Sequence, residues 1–136
     1  MPDGRNVIET RQETEVLFGL PPVPTDAPPF LLGAGESIVI PAQPSAERSL
    51  GKNVAGYAAV DFLAVSNAAM SLLVEEANDP QGPYVPVGTF ASAVMGTFQG
   101  IRQRVIPIGS FMRVTLSNTG GAETVLSFKG IGLPIT

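Results

Sequence analysis

The sequence contains no cysteine, no histidine and no tryptophan among its 136 residues. Without cysteine the chain can form neither disulfides nor zinc–thiolate sites, and it has no thiol nucleophile. Without histidine it lacks the commonest general base near neutral pH and the commonest ligand of transition metals. These absences exclude Ser-His-Asp and Cys-His catalytic arrangements. We therefore predict that the chain is not an enzyme and that it holds no metal and no other cofactor.

Charged residues are also scarce, at 15% of the chain compared with about 25% in a typical soluble domain. The net charge is −4, so the chain lacks an overall basic character and we expect no direct contact with nucleic acid. No apolar run reaches the roughly 18 residues of a membrane span, and we expect no membrane contact. The first residues lack the basic start and apolar stretch of a signal peptide, so we expect the protein to act where it is made. A surface this poor in charge is typical of a protein that buries much of its exterior against partners.

Residues 1–35 differ from the rest of the chain because they contain six prolines. Proline fixes φ and lacks a backbone donor, so this segment is predicted to be extended and excluded from the middle of a sheet. Its apolar side chains would not stay exposed to water, which favours an arm docked on a neighbouring subunit over an unattached terminus. The residues predicted to bind that neighbour are Val16, Leu17, Phe18, Leu20, Phe30 and Leu31.

Residues 36–136 alternate between apolar and polar side chains in about seven short runs, which are separated by turns rich in glycine, proline and asparagine. This pattern predicts an all-β fold, an antiparallel β-sandwich of jelly-roll or immunoglobulin-like topology, with almost no helix. A hairpin turn is predicted at residues 118–121, between the last two strands. The alternation predicts that these strands bury Met112, Val114, Leu116, Leu126 and Phe128 in the core.

The acidic residues form no catalytic pair and no recognisable metal motif. Glu75 and Glu76 are adjacent in a predicted strand, so they point to opposite faces and cannot act together as the two carboxylates of a glycosidase. The turn at residues 78–82 offers oxygen ligands that calcium accepts, together with Glu76, but its spacing is not that of an EF-hand loop.

Arginine and aromatic residues supply the remaining candidates for binding. Arg102 and Arg104 share one face of a strand, and Arg113 is predicted to lie beside that face. We expect these arginines to bind carboxylates of a neighbouring subunit rather than phosphate. Tyr84 and Phe90 are candidates for a sugar-stacking platform, although tryptophan, the usual residue there, is missing.

Residues 63–79, LAVSNAAMSLLVEEAND, and residues 110–122, SFMRVTLSNTGGA, resemble motifs of β-sandwich virion proteins of tailed bacteriophages. In those proteins a strand ends in Ser-Asn or Ser-Asp, and the next strand ends in Glu-x-x-Asn or Glu-x-x-Asp before Asp-Gly. A later strand carries Arg-Val after an aromatic residue and leads into an Asn-x-Gly turn. The similarity covers residues 55–130 and leaves out the arm. The sequence departs from the motifs at residues 80–82, where Pro-Gln-Gly replaces the Asp-Gly turn.

The resemblance implies a structural virion protein, namely a capsid decoration or cement protein that stabilises the phage head by binding the capsid lattice. The implied partners are the major capsid protein and neighbouring copies of the chain, and the implied location is the virion, after assembly in the host cytoplasm. The sequence leaves one alternative open, a tail or fibre module that recognises a receptor or a carbohydrate. The resemblance implies no catalytic residues.

Overall fold

The structure is a computed structural model, and it describes residues 14–20, 30–40 and 51–135. These residues contain eleven strands and no helix, and the strands form two antiparallel sheets. The six-stranded sheet contains β1 (Glu15–Leu20), β2 (Phe30–Leu32), β5 (Tyr57–Ser66), β8 (Ala93–Met95), β9 (Phe98–Val105) and β11 (Thr124–Pro134). The five-stranded sheet contains β3 (Ser37–Ile40), β4 (Lys52–Asn53), β6 (Met70–Ala77), β7 (Val85–Ala91) and β10 (Phe111–Asn118).

The order of the strands confirms the predicted sandwich and gives it a jelly-roll topology. The order is β1-β11-β5-β9-β8 in one sheet and β3-β10-β6-β7 in the other, with β2 also paired to β11 and β4 also paired to β10. We count β1 and β2 as one edge strand, β3 and β4 as another, and β8 as a short addition. Each sheet then has four main strands, as in a jelly roll, which closes most of its backbone into two packed sheets.

Each of these two edge strands is described in two parts, whose pairings are separated by one residue of the partner strand. Leu20 pairs with Phe128 and Phe30 pairs with Leu126, so only one residue of β11 separates the end of β1 from the start of β2. In the same way, one residue of β10 separates the pairing of β3 from that of β4. The connecting residues 21–29 and 41–50 lie outside the described residues. We call these two places the interrupted edges.

The prediction that residues 1–35 form an arm separate from the sandwich is wrong for β1 and β2, which pair with β11 in the chain's own sheet. Leu17 and Phe18 are only 8% and 1% exposed in the chain's own core, so they are not available to a neighbouring subunit. Val16 and Leu31 are exposed, and their binding to a partner stays a prediction. The side chains of Leu20 and Phe30, and residues 1–13 and 21–29, lie outside the described residues. The prolines did not prevent pairing because they follow β1 and precede β2.

Three phenylalanine rings and one glycine organise the core of the six-stranded sheet. The Phe18 and Phe62 rings lie 5.7 Å apart, and Phe62 stacks on Phe128 at 5.9 Å. Gly130 pairs with Phe18 on one side and with Phe62 on the other, and a Cβ atom at Gly130 would stand 2.8 Å from each ring. A β-bulge at Leu17 allows two consecutive side chains of β1 to face the core.

The predicted core positions on the last two long strands are confirmed. Met112, Val114, Leu116, Leu126 and Phe128 are all 0 or 1% exposed. The predicted hairpin at residues 118–121 is wrong, however, because β10 and β11 lie in different sheets and do not pair with each other. The connection is an arch from one sheet to the other. The alternation of apolar and polar residues cannot distinguish a hairpin from an arch, because the strands of both sheets turn their apolar positions towards the shared core.

Asn118 fixes the start of this arch from a buried position, at 1% exposure. Its Nδ2 donates hydrogen bonds to the backbone oxygens of Leu32, at 3.0 Å, and Ala122, at 2.8 Å. Its Oδ1 accepts a hydrogen bond from the Gly120 amide at 2.9 Å. The side chain thus joins β2 to the arch and leaves no buried amide atom unpaired.

We predict that Gly130→Ala lowers the free energy of unfolding by about 1–3 kcal/mol, because the new methyl group displaces two packed rings. Urea denaturation followed by intrinsic fluorescence measures the change. Gly121→Ala is the matched control, since nothing lies within 4 Å of its added Cβ, and we expect it to stay within about 0.5 kcal/mol of the parent. Equal stability of the two variants would contradict the proposed packing around Gly130.

We predict that Phe18→Ala lowers the free energy of unfolding by about 3–5 kcal/mol, the usual cost of deleting a buried aromatic ring. Val16→Ala on the same strand should change it by less than about 0.5 kcal/mol, since Val16 is largely exposed. Calorimetry on both variants tests whether β1 is part of the folded unit. A Phe18→Ala protein as stable as the parent would show that β1 is not part of the folded unit, and it would support the arm that the sequence predicts.

Candidate interaction surfaces

Arg102 and Arg104 lie on the outer face of the six-stranded sheet, as their spacing predicts. Arg104 is bound to Asp61 by two hydrogen bonds, from Nε to Oδ1 at 2.7 Å and from Nη2 to Oδ2 at 2.9 Å. The hydrogen bond from Arg104 holds the pKa of Asp61 below its ordinary value, although burial opposes this effect. The positive charges of Arg104 and Arg102 lower this pKa further. Arg104 is therefore already paired within the chain, whereas Arg102 has no ion pair among the described residues.

The prediction that Arg113 lies beside these arginines is wrong, because Arg113 belongs to β10 in the other sheet. Its Nε donates a hydrogen bond to Oε1 of Glu75 at 2.9 Å, and both side chains are largely buried. Its guanidinium lies 4.1 Å from the centroid of the Tyr84 ring, a distance that allows a cation–π contact. Arg113 thus joins β10 to β6 and to the turn that follows β6.

Tyr84 and Phe90 do not form an open platform for sugar stacking. The Tyr84 ring is covered by Arg113, and its hydroxyl donates a hydrogen bond to the Pro80 oxygen at 2.7 Å. That hydroxyl also accepts a hydrogen bond from the Gly51 amide at 2.5 Å, next to one interrupted edge. Phe90 is partly buried against the hydrophobic core. Both aromatic residues therefore pack within the chain.

Glu76 faces inward at one end of the sandwich, whereas Glu75 binds Arg113 on the outer face, as the predicted opposite orientation requires. Oε1 of Glu76 accepts hydrogen bonds from the amides of Ile108, at 3.0 Å, and Gly109, at 2.7 Å. Oε2 is buried without a hydrogen-bond partner. Among the residues that the structure describes, no group of three acidic or other metal-binding side chains comes together here. The carboxylate therefore serves to hold the loop between β9 and β10 against β6.

The outer face of the six-stranded sheet contains a hollow of about 570 Å³, bordered by Asp61, Leu63, Arg102, Arg104 and Ile131. Leu63 is 47% exposed and lies between Arg102 of β9 and Lys129 of β11 in the same cross-strand row. We call Leu63, Ile131, Arg102, Lys129 and the Asp61–Arg104 pair the cationic face. It combines the exposed side chain of Leu63 and the partly buried side chain of Ile131 with an excess of positive charge.

A second surface follows the free edges of both sheets, along β7, β8 and the turn into β9. No charged residue occurs anywhere from Pro80 to Ile101, a feature that the sequence alone shows. We call residues 85–98 the uncharged edge. It exposes large apolar side chains, namely Val85, Val87, Val94, Met95 and Phe98.

The strands of the uncharged edge have one hydrogen-bonded neighbour each within the described residues, β6 for β7 and β9 for β8. Unpaired edge strands invite pairing with another chain, and proteins usually protect them with charge, proline or a bulge. β7 has both Pro86 and a bulge, whereas β8 has neither. Ser92 joins the two strands and fixes the corner, because its amide donates to the Met70 oxygen and its Oγ accepts from the Met70 amide, each at 2.9 Å.

No protein-family model matches the chain, and no curated protein matches it either. Within the part of the chain that the structure describes, no helix has the length and apolar character needed to cross a membrane.

We predict that Asp61→Asn lowers stability slightly near pH 7 and that the difference from the parent disappears at low pH. The folded-state pKa of Asp61 lies below its ordinary value, so the pair stabilises the fold above about pH 4 and stops doing so as the pH falls through the folded pKa. The effect is small because the pair is exposed to solvent. Urea denaturation across the acid range measures it, with Glu123→Gln as the control for loss of one negative charge. A difference that grows towards low pH would contradict this assignment.

Proposed function

We propose that this chain is a structural virion protein that decorates a bacteriophage capsid and binds both the major capsid protein and neighbouring copies of itself. The observation that carries the proposal is the uncharged edge, in which β8 has one hydrogen-bonded neighbour among the described strands and exposes Val94 and Met95 within a run of sequence that has no charged residue. An exposed apolar edge of this kind is a liability in a monomer and an asset in an assembly.

The jelly-roll sandwich supports this proposal, since the same architecture is common in viral capsid domains. The fold alone does not determine a function, but the resemblance of residues 55–130 to phage virion proteins points in the same direction. The alternative, a carbohydrate-binding tail or fibre module, gains no support from Tyr84 and Phe90, which are occupied within the chain.

Cementing follows from the sum of several modest contacts. A decoration protein that touches more than one lattice subunit gains effective affinity, because each attached surface keeps the others at high local concentration. Contacts through uncharged strands depend little on salt, because no ion pairs have to be screened. Such a protein resists expansion of the shell by spanning the joints between subunits.

The proposal predicts that the purified chain binds DNA-filled heads of the phage that encodes it and stays bound after dilution. Sedimentation of heads incubated with the chain measures the bound fraction. We expect Val94→Lys to weaken binding about tenfold or more, because it places a charge on an edge that must lose water on contact. The control is Ile135→Lys, which adds the same charge at an exposed apolar residue after β11.

Two results would overturn parts of this proposal separately. Heads that do not retain the parent chain would exclude the decoration function. Heads that retain Val94→Lys and Ile135→Lys equally well would keep the function and exclude the uncharged edge as the contact. Thermal unfolding of both variants shows whether each is folded, as the exposure of both positions leads us to expect.

A further inference from the structure

We propose that the cationic face binds an acidic segment of a partner protein, in which carboxylates flank an apolar side chain. Leu63 would contact the apolar side chain, while Arg102 and Lys129 would pair with the carboxylates on either side. This inference rests on the charge pattern of the outer sheet and does not require the proposed capsid function.

The geometry of one cross-strand row carries the inference. Leu63 on β5 pairs with Lys129 on β11 and with Arg102 on β9. Adjacent strands lie about 4.8 Å apart, so the two cationic residues start about 10 Å from each other. In an extended peptide, side chains four residues apart are separated by about 13 Å on the same face, and flexible glutamates can close that difference. The residue midway between them then lies above Leu63.

Neither cation forms an ion pair within the described residues. The two ion pairs that the structure shows there join Arg104 to Asp61 and Arg113 to Glu75, and Arg102 acts on Asp61 only through its charge. The chain as a whole has a net charge of −4, so this face is a positive region on an acidic protein. Charge complementarity therefore selects an acidic partner, and attraction of this kind governs orientation and rate of encounter more than affinity.

Two features favour a protein segment over a nucleic acid. Two cations without an ion pair are few for a phosphate backbone, whose binding usually needs several. The apolar side chains of Leu63 and Ile131 complement another apolar side chain and offer no aromatic ring for a base.

The test is an NMR titration of the full-length chain with the blocked peptide Thr-Glu-Thr-Leu-Thr-Glu-Thr. We expect the amide resonances of Leu63, Arg102 and Lys129 to shift, and the affinity to fall severalfold between about 50 and 300 mM salt. The same peptide with lysine in place of glutamate should not shift them. Lys129→Glu should weaken binding about fivefold or more, since it replaces an attraction with a repulsion.

Lys52→Glu is the matched control, because it makes the same change in net charge on an exposed residue of the other sheet. We expect it to leave the affinity within about twofold of the parent, since charges beyond a Debye length are largely screened. Equal loss in both variants, or no shifts around Leu63 in the parent, would overturn the inference. If oligothymidine shifts the same resonances more strongly than the acidic peptide, the partner is a nucleic acid and the inference is wrong.

Discussion

The attachment of β1 to the core depends on the absence of a side chain at Gly130. Because no Cβ stands there, the rings of Phe18 and Phe62 meet over the backbone of β11, and Phe62 continues the contact to Phe128. Gly132 provides a similar space for Tyr57 and Leu17. These contacts bring β1 into the core although it lies at the edge of the sheet. They make the first described residues a structural part of the sandwich.

The alternation of apolar and polar residues correctly predicts which side chains face the core, but it does not predict which sheet a strand joins. The pattern predicts strands at residues 57–66 and 111–117, and the predicted core positions are buried. The same pattern cannot show which of two facing sheets a strand joins, since both turn their apolar positions inward. The hairpin predicted after Asn118 and the position predicted for Arg113 failed for this one reason. The predicted arm is wrong at β1 because prolines that lie outside a strand do not prevent that strand from pairing.

The two candidate surfaces meet on one strand. β9 pairs with β8 at the uncharged edge, and the same strand carries Arg102 on the cationic face. A strand added beside β8 would extend the six-stranded sheet next to the strand that carries Arg102. Of these features, the uncharged run is visible in the sequence. The cationic face is not, since it depends on three strands that are distant along the chain.

At the interrupted edges, the register of the strands does not depend on the number of residues that connect β1 to β2 or β3 to β4. β1 and β2 are each fixed on β11, and β3 and β4 are each fixed on β10, so the register on either side of each break is set independently of the residues between. Doubling the length of a loop between fixed ends costs only about 0.6 kcal/mol. Two connections on the side opposite the uncharged edge can therefore lengthen while every described strand pair keeps its register.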